Sequence, residues 1–328
     1  MDDYDLSQVK GLGPKSIERL NESKIERVSQ VATIRPSKLA DIINVTKKKA
    51  GEIVSIAKSL ALDTAIEVKS GKQILEDRLQ RIQKIPTGSK RLDDILKGGF
   101  WTNSIVGLFG VFATGKTQLC HEAVVNCKKH LGRKSAYIAT EPHSFVPERI
   151  VEIAKAKGVE FDLNEDIIGI TSDIIRNPDM QKLAYEMIER RIEKGMDIGL
   201  IVVDSFISKF RMDEQYQGRE NFPERSQELG RHFGYLQYLA DKYNICVLLT
   251  FQVMGTPDAG GTLANKMKYG ISKALVGGHM AKHSATFWIA LDQISARDKT
   301  WKAIVIDGPL ERQDCLFRIT LDGITDAR

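Results

Sequence analysis

Gly110-Val111-Phe112-Ala113-Thr114-Gly115-Lys116-Thr117 is the stretch on which the reading of this chain turns. It fits G-x-x-x-x-G-K-[ST], the pattern of a phosphate-binding loop. The apolar run Ile105 to Phe109 stands directly before it and reads as a buried parallel strand. A helical pattern opens at Lys116 and continues through Leu119, Ala123 and Val124. That strand–loop–helix setting is what the motif requires. The glycines let backbone N–H groups close around an anion with no side chain in the way. The helix N-terminus adds partial positive charge at the same point. Lys116 is then expected to reach the β- and γ-phosphates of a nucleotide, and the Thr117 hydroxyl to hold Mg²⁺.

Outward from this loop, strands and helices alternate. Pro86-Thr87-Gly88-Ser89 reads as a turn with a helix start, and Gly98-Gly99 as that helix's end. Lys134 to Thr140 reads as a strand ending at Glu141, and Phe145 to Lys157 as a helix with Pro147 near its start. A short strand is expected over Asp166 to Ser172 and an amphipathic helix over Pro178 to Lys194. Gly199 to Val203 is an unbroken apolar strand closed by Asp204-Ser205, followed by a long helix, Pro223 to Tyr243, and a buried strand, Ile245 to Phe251. Later strands are expected at Thr286 to Leu291, Ala303 to Ile306 and Leu316 to Ile319. Alternation of this kind implies a mostly parallel, doubly wound sheet.

In such sheets the ligand lies beyond the C-terminal ends of the strands. Thr117, Glu141, Asp204 and Gln252 all stand at or just past such ends. Asp204 closes an h-h-h-h-D run, whose carboxylate would hold Mg²⁺ directly or through water. Glu141 is a candidate to orient or deprotonate the attacking water, and Gln252 a candidate sensor of the γ-phosphate. Singly, a strand-terminal Asp is often only a cap or turn residue. The ordered set is far more specific than any one member.

The rest of the composition bounds the class without naming it. The chain has 328 residues, 42% hydrophobic and 28% charged, with 48 Lys+Arg against 43 Asp+Glu for a net charge of +5. This describes a globular protein with a sizeable core and permits a nucleic-acid partner without demanding one. Cys120, Cys127, Cys246 and Cys315 form no C-x-x-C pair, so the expectation is reduced thiols, with neither zinc site nor disulfide framework. No apolar run is long enough to span a bilayer, and the opening Met-Asp-Asp-Tyr-Asp has no signal-peptide pattern.

Residues 1–60 read as short helices joined by tight turns. Gly11-Leu12-Gly13-Pro14, followed by Ile17, Leu20 and Ile25, is similar to the hairpin of a helix-hairpin-helix module, in which Gly11 and Gly13 would offer backbone N–H groups to a DNA phosphate. Ile43-Asn44-Val45-Thr46, with Ala50, Ile53 and Ile56, suggests a second copy without the glycines. A helical bundle used only for protein contacts is the alternative. Ser59 to Arg81 is charged and weakly periodic and reads as a linker with a break at Ser70-Gly71.

With these residues in hand, the chain resembles the archaeal RadA recombinases, within the wider RecA-fold family. The stretches that carry the resemblance are Pro86 to Asp93, the phosphate loop with Gln118, Phe145 to Arg149, Asp204-Ser205 leading to Phe210-Arg211, Gln252-Val253-Met254 with Pro257-Asp258-Ala259, and Gly277-Gly278-His279 leading to His283-Ser284-Ala285-Thr286. The resemblance implies an α/β fold: a RecA-like P-loop ATPase core over 84–328 with a mostly parallel central sheet, a small all-α helix-hairpin-helix DNA-binding domain over 1–60, and a linker with a polymerisation-like segment over 61–83. It implies a cytoplasmic, nucleoid-associated, DNA-dependent ATPase that binds ATP and Mg²⁺. Such a protein forms a homo-oligomeric filament or ring on single-stranded DNA, pairs it with a homologous duplex, and does not act at a membrane.

Carried over by position, Gly110 to Gln118 would hold the nucleotide, with Lys116 on phosphate and Thr117 and Asp204 on Mg²⁺. Glu141 would be the catalytic carboxylate and Gln252 the γ-phosphate sensor. Arg149 would pack on adenine, and Asp307 would cap a neighbouring subunit's nucleotide. His279 would link the second DNA loop to the nucleotide, or be only a hydrogen-bonded loop histidine. Arg211, Arg219 and Arg225 match the arginines of a first DNA loop, and Lys266 and Lys268 belong to a glycine-rich second one, Met254 to Val276.

The chain also departs from the family pattern. Leu62-Asp63-Thr64-Ala65 stands where a Phe-x-x-Ala plug is usual, and leucine in that place weakens the plug by ~1 kcal/mol. Ala139 replaces an Asp, Phe251 replaces an Asn, the second loop is lengthened, and Leu310-Glu311-Arg312 alters the cap region after Asp307. These changes concern subunit contacts and the DNA loop and largely spare the phosphate site. They keep open the alternative of a recombinase paralogue that binds ATP and DNA and modulates the filaments of a main recombinase.

Overall fold

A computed structural model of the chain describes residues 5–64, 69–218, 220–252 and 285–327. The chain divides into two compact units, Met1–Arg78 and Leu79–Arg328.

The first unit is helical. A 3-10 turn, Leu6–Gln8, precedes α1 (Pro14–Glu22), α2 (Val28–Thr33), α3 (Pro36–Ile43) and α4 (Lys47–Thr64). Leu20, Val28, Val31, Leu39, Ala50, Ile53 and Ala57 form its buried core. Gly11 has φ +105, Gly13 stands at the N-cap of α1, and Pro14 takes the first helical position, where its missing N–H costs nothing. Asn44 ends α3 in the left-handed conformation, so the glycine-free 43–46 segment does make a helix-to-helix turn. Much of the expected linker is helical, and the boundary between the two units falls within it. α4 continues to Thr64, and α5 (Gly71–Arg81) lies in the weakly periodic stretch after the Ser70-Gly71 break. Ser70 and Gln73 bond each other's backbone N–H groups, which starts α5 at the expected Ser70-Gly71 break. None of the residues of α5 is buried.

The second unit carries the sheet. In chain order it contains β1 (Lys84–Ile85), α6 (Lys90–Ile95), β2 (Phe100–Trp101), β3 (Ser104–Gly110), α7 (Lys116–Leu131), β4 (Lys134–Ala139), α8 (Pro147–Ala156), β5 (Ile167–Ile170) and α9 (Pro178–Glu193). β6 (Ile198–Asp204), α10 (Ser208–Met212), α11 (Phe222–Tyr243) and β7 (Cys246–Gln252) come next, then β8 (Phe287–Ser295), β9 (Thr300–Asp307), β10 (Asp314–Thr320) and β11 (Gly323–Asp326). The main sheet has the order β11-β10-β9-β8-β3-β7-β6-β4-β5.

From β8 to β5 every neighbouring pair is parallel. β3 and β6 are buried at every residue because helices cover both faces. Side chains alternate between the two layers. Ile105 and Phe109 of β3 join Tyr185, Phe206, Phe233 and Leu236 in one core, while Val106 and Leu108 join Leu119, Val124 and Ile150 in the other. Asn177 caps α9 by accepting from the Met180 N–H at 2.9 Å, and Asn244 ends α11 in the left-handed conformation.

β9, β10 and β11 are antiparallel, an edge that strand–helix alternation does not predict. Their connections, 296–299, 308–313 and 321–322, are too short for a crossover helix, so only hairpins fit. Glu122 of α7 fastens this edge to the helical layer. Its carboxylate pairs with Lys157 at 2.8 Å and accepts from Asn126 and from the Ile324 N–H of β11, each at 3.0 Å. Burial raises the Glu122 carboxyl above the usual range, and these donors oppose that. The four cysteines are free thiols. Among the described residues no helix is long and apolar enough to cross a membrane.

Candidate functional site

Register assembles the site. β3 and β7 pair with Gly110 opposite Gln252, and β4 and β6 pair with Ala139 opposite Asp204. The phosphate loop, Glu141, Asp204 and Gln252 therefore meet at the C-terminal edge of the parallel strands. They line one cavity of about 470 Å³ together with Phe112 to Gln118, His143, Ser205, Thr250, Trp301 and Ile319.

The loop is shaped by its own side chains. Lys116 Nζ donates to the carbonyls of Gly110 (3.0 Å) and Val111 (2.7 Å). Thr114 Oγ1 donates to the Val111 carbonyl at 2.9 Å. At Gly110 a Cβ would fall 2.4 Å from the Leu291 carbonyl oxygen and 2.5 Å from Thr114 Oγ1, so only glycine fits. Gly115 has φ +87 and leads into α7, whose first turn faces the cavity. Burial lowers the pKa of Lys116, while the nearby Asp204 and Glu141 carboxylates resist the shift.

Asp204 is held by three hydroxyls. Oδ2 accepts from Thr117 Oγ1 at 2.7 Å and lies 3.0 Å from the Tyr137 hydroxyl, and Oδ1 accepts from Thr250 Oγ1. A hydroxyl and a carboxylate side by side are hard oxygen donors of the kind Mg²⁺ takes beside nucleotide phosphates. Among the described residues no group of three or more His, Cys, Asp and Glu side chains forms a separate metal cage. Glu141 follows Thr140, whose Oγ1 is bonded to both the N–H and the carbonyl of Ser205. Burial, then the Asp204 charge, raises the Glu141 carboxyl above the usual range, and Ser208, Lys116 and Arg211 pull the other way. A carboxyl raised in this manner is closer to the pKa useful for accepting a proton near neutrality.

The other expected site residues are distributed differently. Arg211 lies at the end of α10 beside β7: its Nη2 donates to the Gln252 carbonyl at 2.9 Å, and its charge acts on Glu141. Arg225 Nη1 donates to the Tyr216 carbonyl at 2.9 Å, and its guanidinium lies 4.4 Å from the centre of the Phe222 ring. Arg149 is immobilised beside the cavity by Gln118 Oε1 (3.0 Å), Glu152 (3.0 Å) and the carbonyls of Thr320 and Leu321 (2.6 Å each). Asp307 is exposed at the far end of β9, six residues and ~20 Å from Trp301, outside this chain's own cavity. Gly11 and Gly13 belong to the first unit. Arg219, Lys266, Lys268 and His279 lie outside the described residues.

A family model described as Rad51 matches residues 78–327. The chain belongs to the Rad51 family. Over its whole length it is similar to proteins called "DNA repair and recombination protein RadA". One from Methanococcus maripaludis strain C6 is 34% identical over 336 residues, covering 98% of this chain and 99% of the relative. Another from Methanococcus voltae is 34% identical over 337 residues with the same coverage.

Several members of the site have no motif to announce them. Thr250 stands two residues before Gln252 on the same face of β7, and that spacing was a usable signal. Tyr137 reaches Asp204 from within β4. Trp301 and Ile319 arrive from the antiparallel edge, which nothing in the sequence pattern joins to the phosphate loop.

Proposed function

We propose that this protein is an ATP-dependent recombinase: it assembles on single-stranded DNA as a filament, pairs that strand with a homologous duplex, and couples the cycle to ATP hydrolysis. The observation that carries the reading is the convergence of Lys116, Thr117, Glu141, Asp204 and Gln252 on one cavity in a chain of the Rad51 family. Gly110 to Thr117 cradle the phosphates, and Gln118 and Arg149 border the nucleotide. Thr117 and Asp204 hold Mg²⁺, which when bound neutralises charge on the β- and γ-phosphates. Glu141 orients the attacking water and accepts its proton. Gln252 reads the γ-phosphate and passes its presence, with His279, to the loop carrying Lys266 and Lys268. Asp307 reaches a neighbouring copy's nucleotide. Arg211, Arg219 and Arg225 serve the first DNA loop, with Arg211 tying that loop to Gln252. Residues 1–60, through Gly11 and Gly13, add a sequence-independent grip on DNA phosphates, and 61–83 join neighbouring copies.

Lys116→Ala tests this directly. Loss of ATP binding by 100-fold or more, together with loss of ATP-dependent binding to single-stranded DNA, supports the reading. ATP-dependent DNA binding that survives the substitution refutes it.

Leu62 in the plug position, 61% exposed on α4, favours a second reading as a paralogue that caps or modulates another recombinase's filaments. Electron microscopy with ATP and single-stranded DNA separates the two. Long regular filaments support the first, and short or absent ones the second.

A further inference from the structure

We propose that Trp301 is a positioning residue for the phosphate loop, its indole N–H holding the Ala113 peptide in the orientation that receives phosphate. The inference rests on the reading of the cavity as the nucleotide site.

Ala113 has φ +64, the left-handed region that a residue with a Cβ enters at a cost. A loop that needs this conformation at an alanine must be held there. The carbonyls of Gly110 and Val111 are taken by Lys116 and Thr114, from within the loop. The carbonyl of Ala113 is taken from outside it, by Trp301 Nε1 at 3.3 Å, across 188 residues of sequence. The Ala113–Thr114 peptide is trans, so its carbonyl and the Thr114 N–H point in opposite directions. Anchoring one therefore fixes the other, and backbone N–H groups of this loop are the donors that a phosphate meets.

The anchor is rigid. Trp301 is 8% exposed, and its ring stacks on Phe317 with centroids 6.4 Å apart and planes at 26°. Ile319 closes the same wall against the loop: a Cβ on Gly115 would fall 2.6 Å from Ile319 Cδ1 and 3.8 Å from Trp301 Cδ1. The antiparallel edge thus supplies the outer jaw of the phosphate cradle, and the hydrogen bond to Ala113 is the contact that sets the peptide.

A double-mutant cycle tests this. Trp301→Phe keeps an aromatic ring beside Phe317 and removes the N–H together with part of the indole's volume, a packing loss that the second background of the cycle separates out. Ala113→Gly removes the cost of the left-handed conformation. Affinity for the magnesium complex of a non-hydrolysable ATP analogue is read by calorimetry on the full chain. The Trp301→Phe protein is expected to bind about fivefold more weakly, the scale of one net hydrogen bond. Whatever affinity Ala113→Gly itself has, Trp301→Phe is expected to cost less than about twofold when added to it. Equal losses in the alanine and glycine backgrounds would mean that Trp301 acts by packing alone, and an unchanged affinity that it does not act; either result overturns the proposal. Failure of the parent protein itself to bind the analogue would instead overturn the nucleotide-site reading.

Discussion

Thr250→Val removes one hydroxyl and almost no volume from the centre of the sheet. Thr250 is fully buried on β7, opposite Leu108 of β3. Its Oγ1 is the donor to Asp204 Oδ1, while Thr117 and Tyr137 are grouped around Oδ2. Valine leaves Oδ1 of a buried carboxylate without that donor. A hydrogen bond to a charged group contributes about 1.5–3 kcal/mol, and a charged acceptor left unmatched costs the upper part of that range. For a unit of this size the expected fall in Tm is roughly 3–6 °C, read by thermal unfolding without nucleotide. Function should change selectively. With Oδ1 untethered, the Asp204 carboxylate is free to turn about its remaining bonds at Oδ2, so ATP affinity in Mg²⁺ should drop about tenfold. Affinity in EDTA, carried by Lys116 and the loop, should move less than about twofold. Thr250→Ser should restore both. An equal loss with and without Mg²⁺ would refute the assignment of Asp204 as the metal carboxylate. An unchanged Tm would refute the structural part of the argument.

Acid should destabilise the second unit through two buried histidines, because burial pushes His121 down to about 4 and His232 down to about 3. Both ordinarily titrate near 6.5, so between pH 6.5 and 4 the unfolded chain binds protons that the folded chain refuses, and stability falls as pH falls. For His121 this amounts to roughly 3 kcal/mol at pH 4. Glu122, Glu141 and Asp93 are raised by burial and act in the opposite sense at the acid end. The discriminating measurement is therefore urea unfolding of the parent and of His121→Gln at pH 7 and 4.5. A pH dependence that is no shallower in the variant contradicts the argument. Leu62→Phe should strengthen association between copies by ~1 kcal/mol, about fivefold, by adding apolar area at the proposed plug. Sedimentation with ATP and DNA checks it, and no gain in assembly would remove 61–65 from the subunit contact.

The phosphate loop, the strand before it, the helix after it and the carboxylate-ended β6 were legible because each is decided within about ten residues. Glycine conformation, an apolar run buried on both faces and a helix N-terminus are local consequences of local sequence. The order of Glu141, Asp204 and Gln252 at strand ends was equally readable, since parallel strands carry their ends to one edge whatever their order across the sheet. What needed the tertiary structure were contacts set by register between distant segments. The hydroxyls of Tyr137 and Thr250 reach Asp204 across 67 and 46 residues, and Trp301 reaches Ala113 across 188. The same holds for Arg211, which the family resemblance assigned to a DNA loop and whose guanidinium donates to the Gln252 carbonyl in the fold. It holds for Arg149 too, whose guanidinium is taken up by the turn between β10 and β11. A side chain's type announces what it can bond. Only the pairing of strands distant in sequence, which sets such groups within hydrogen-bond reach of one another, decides what it does bond.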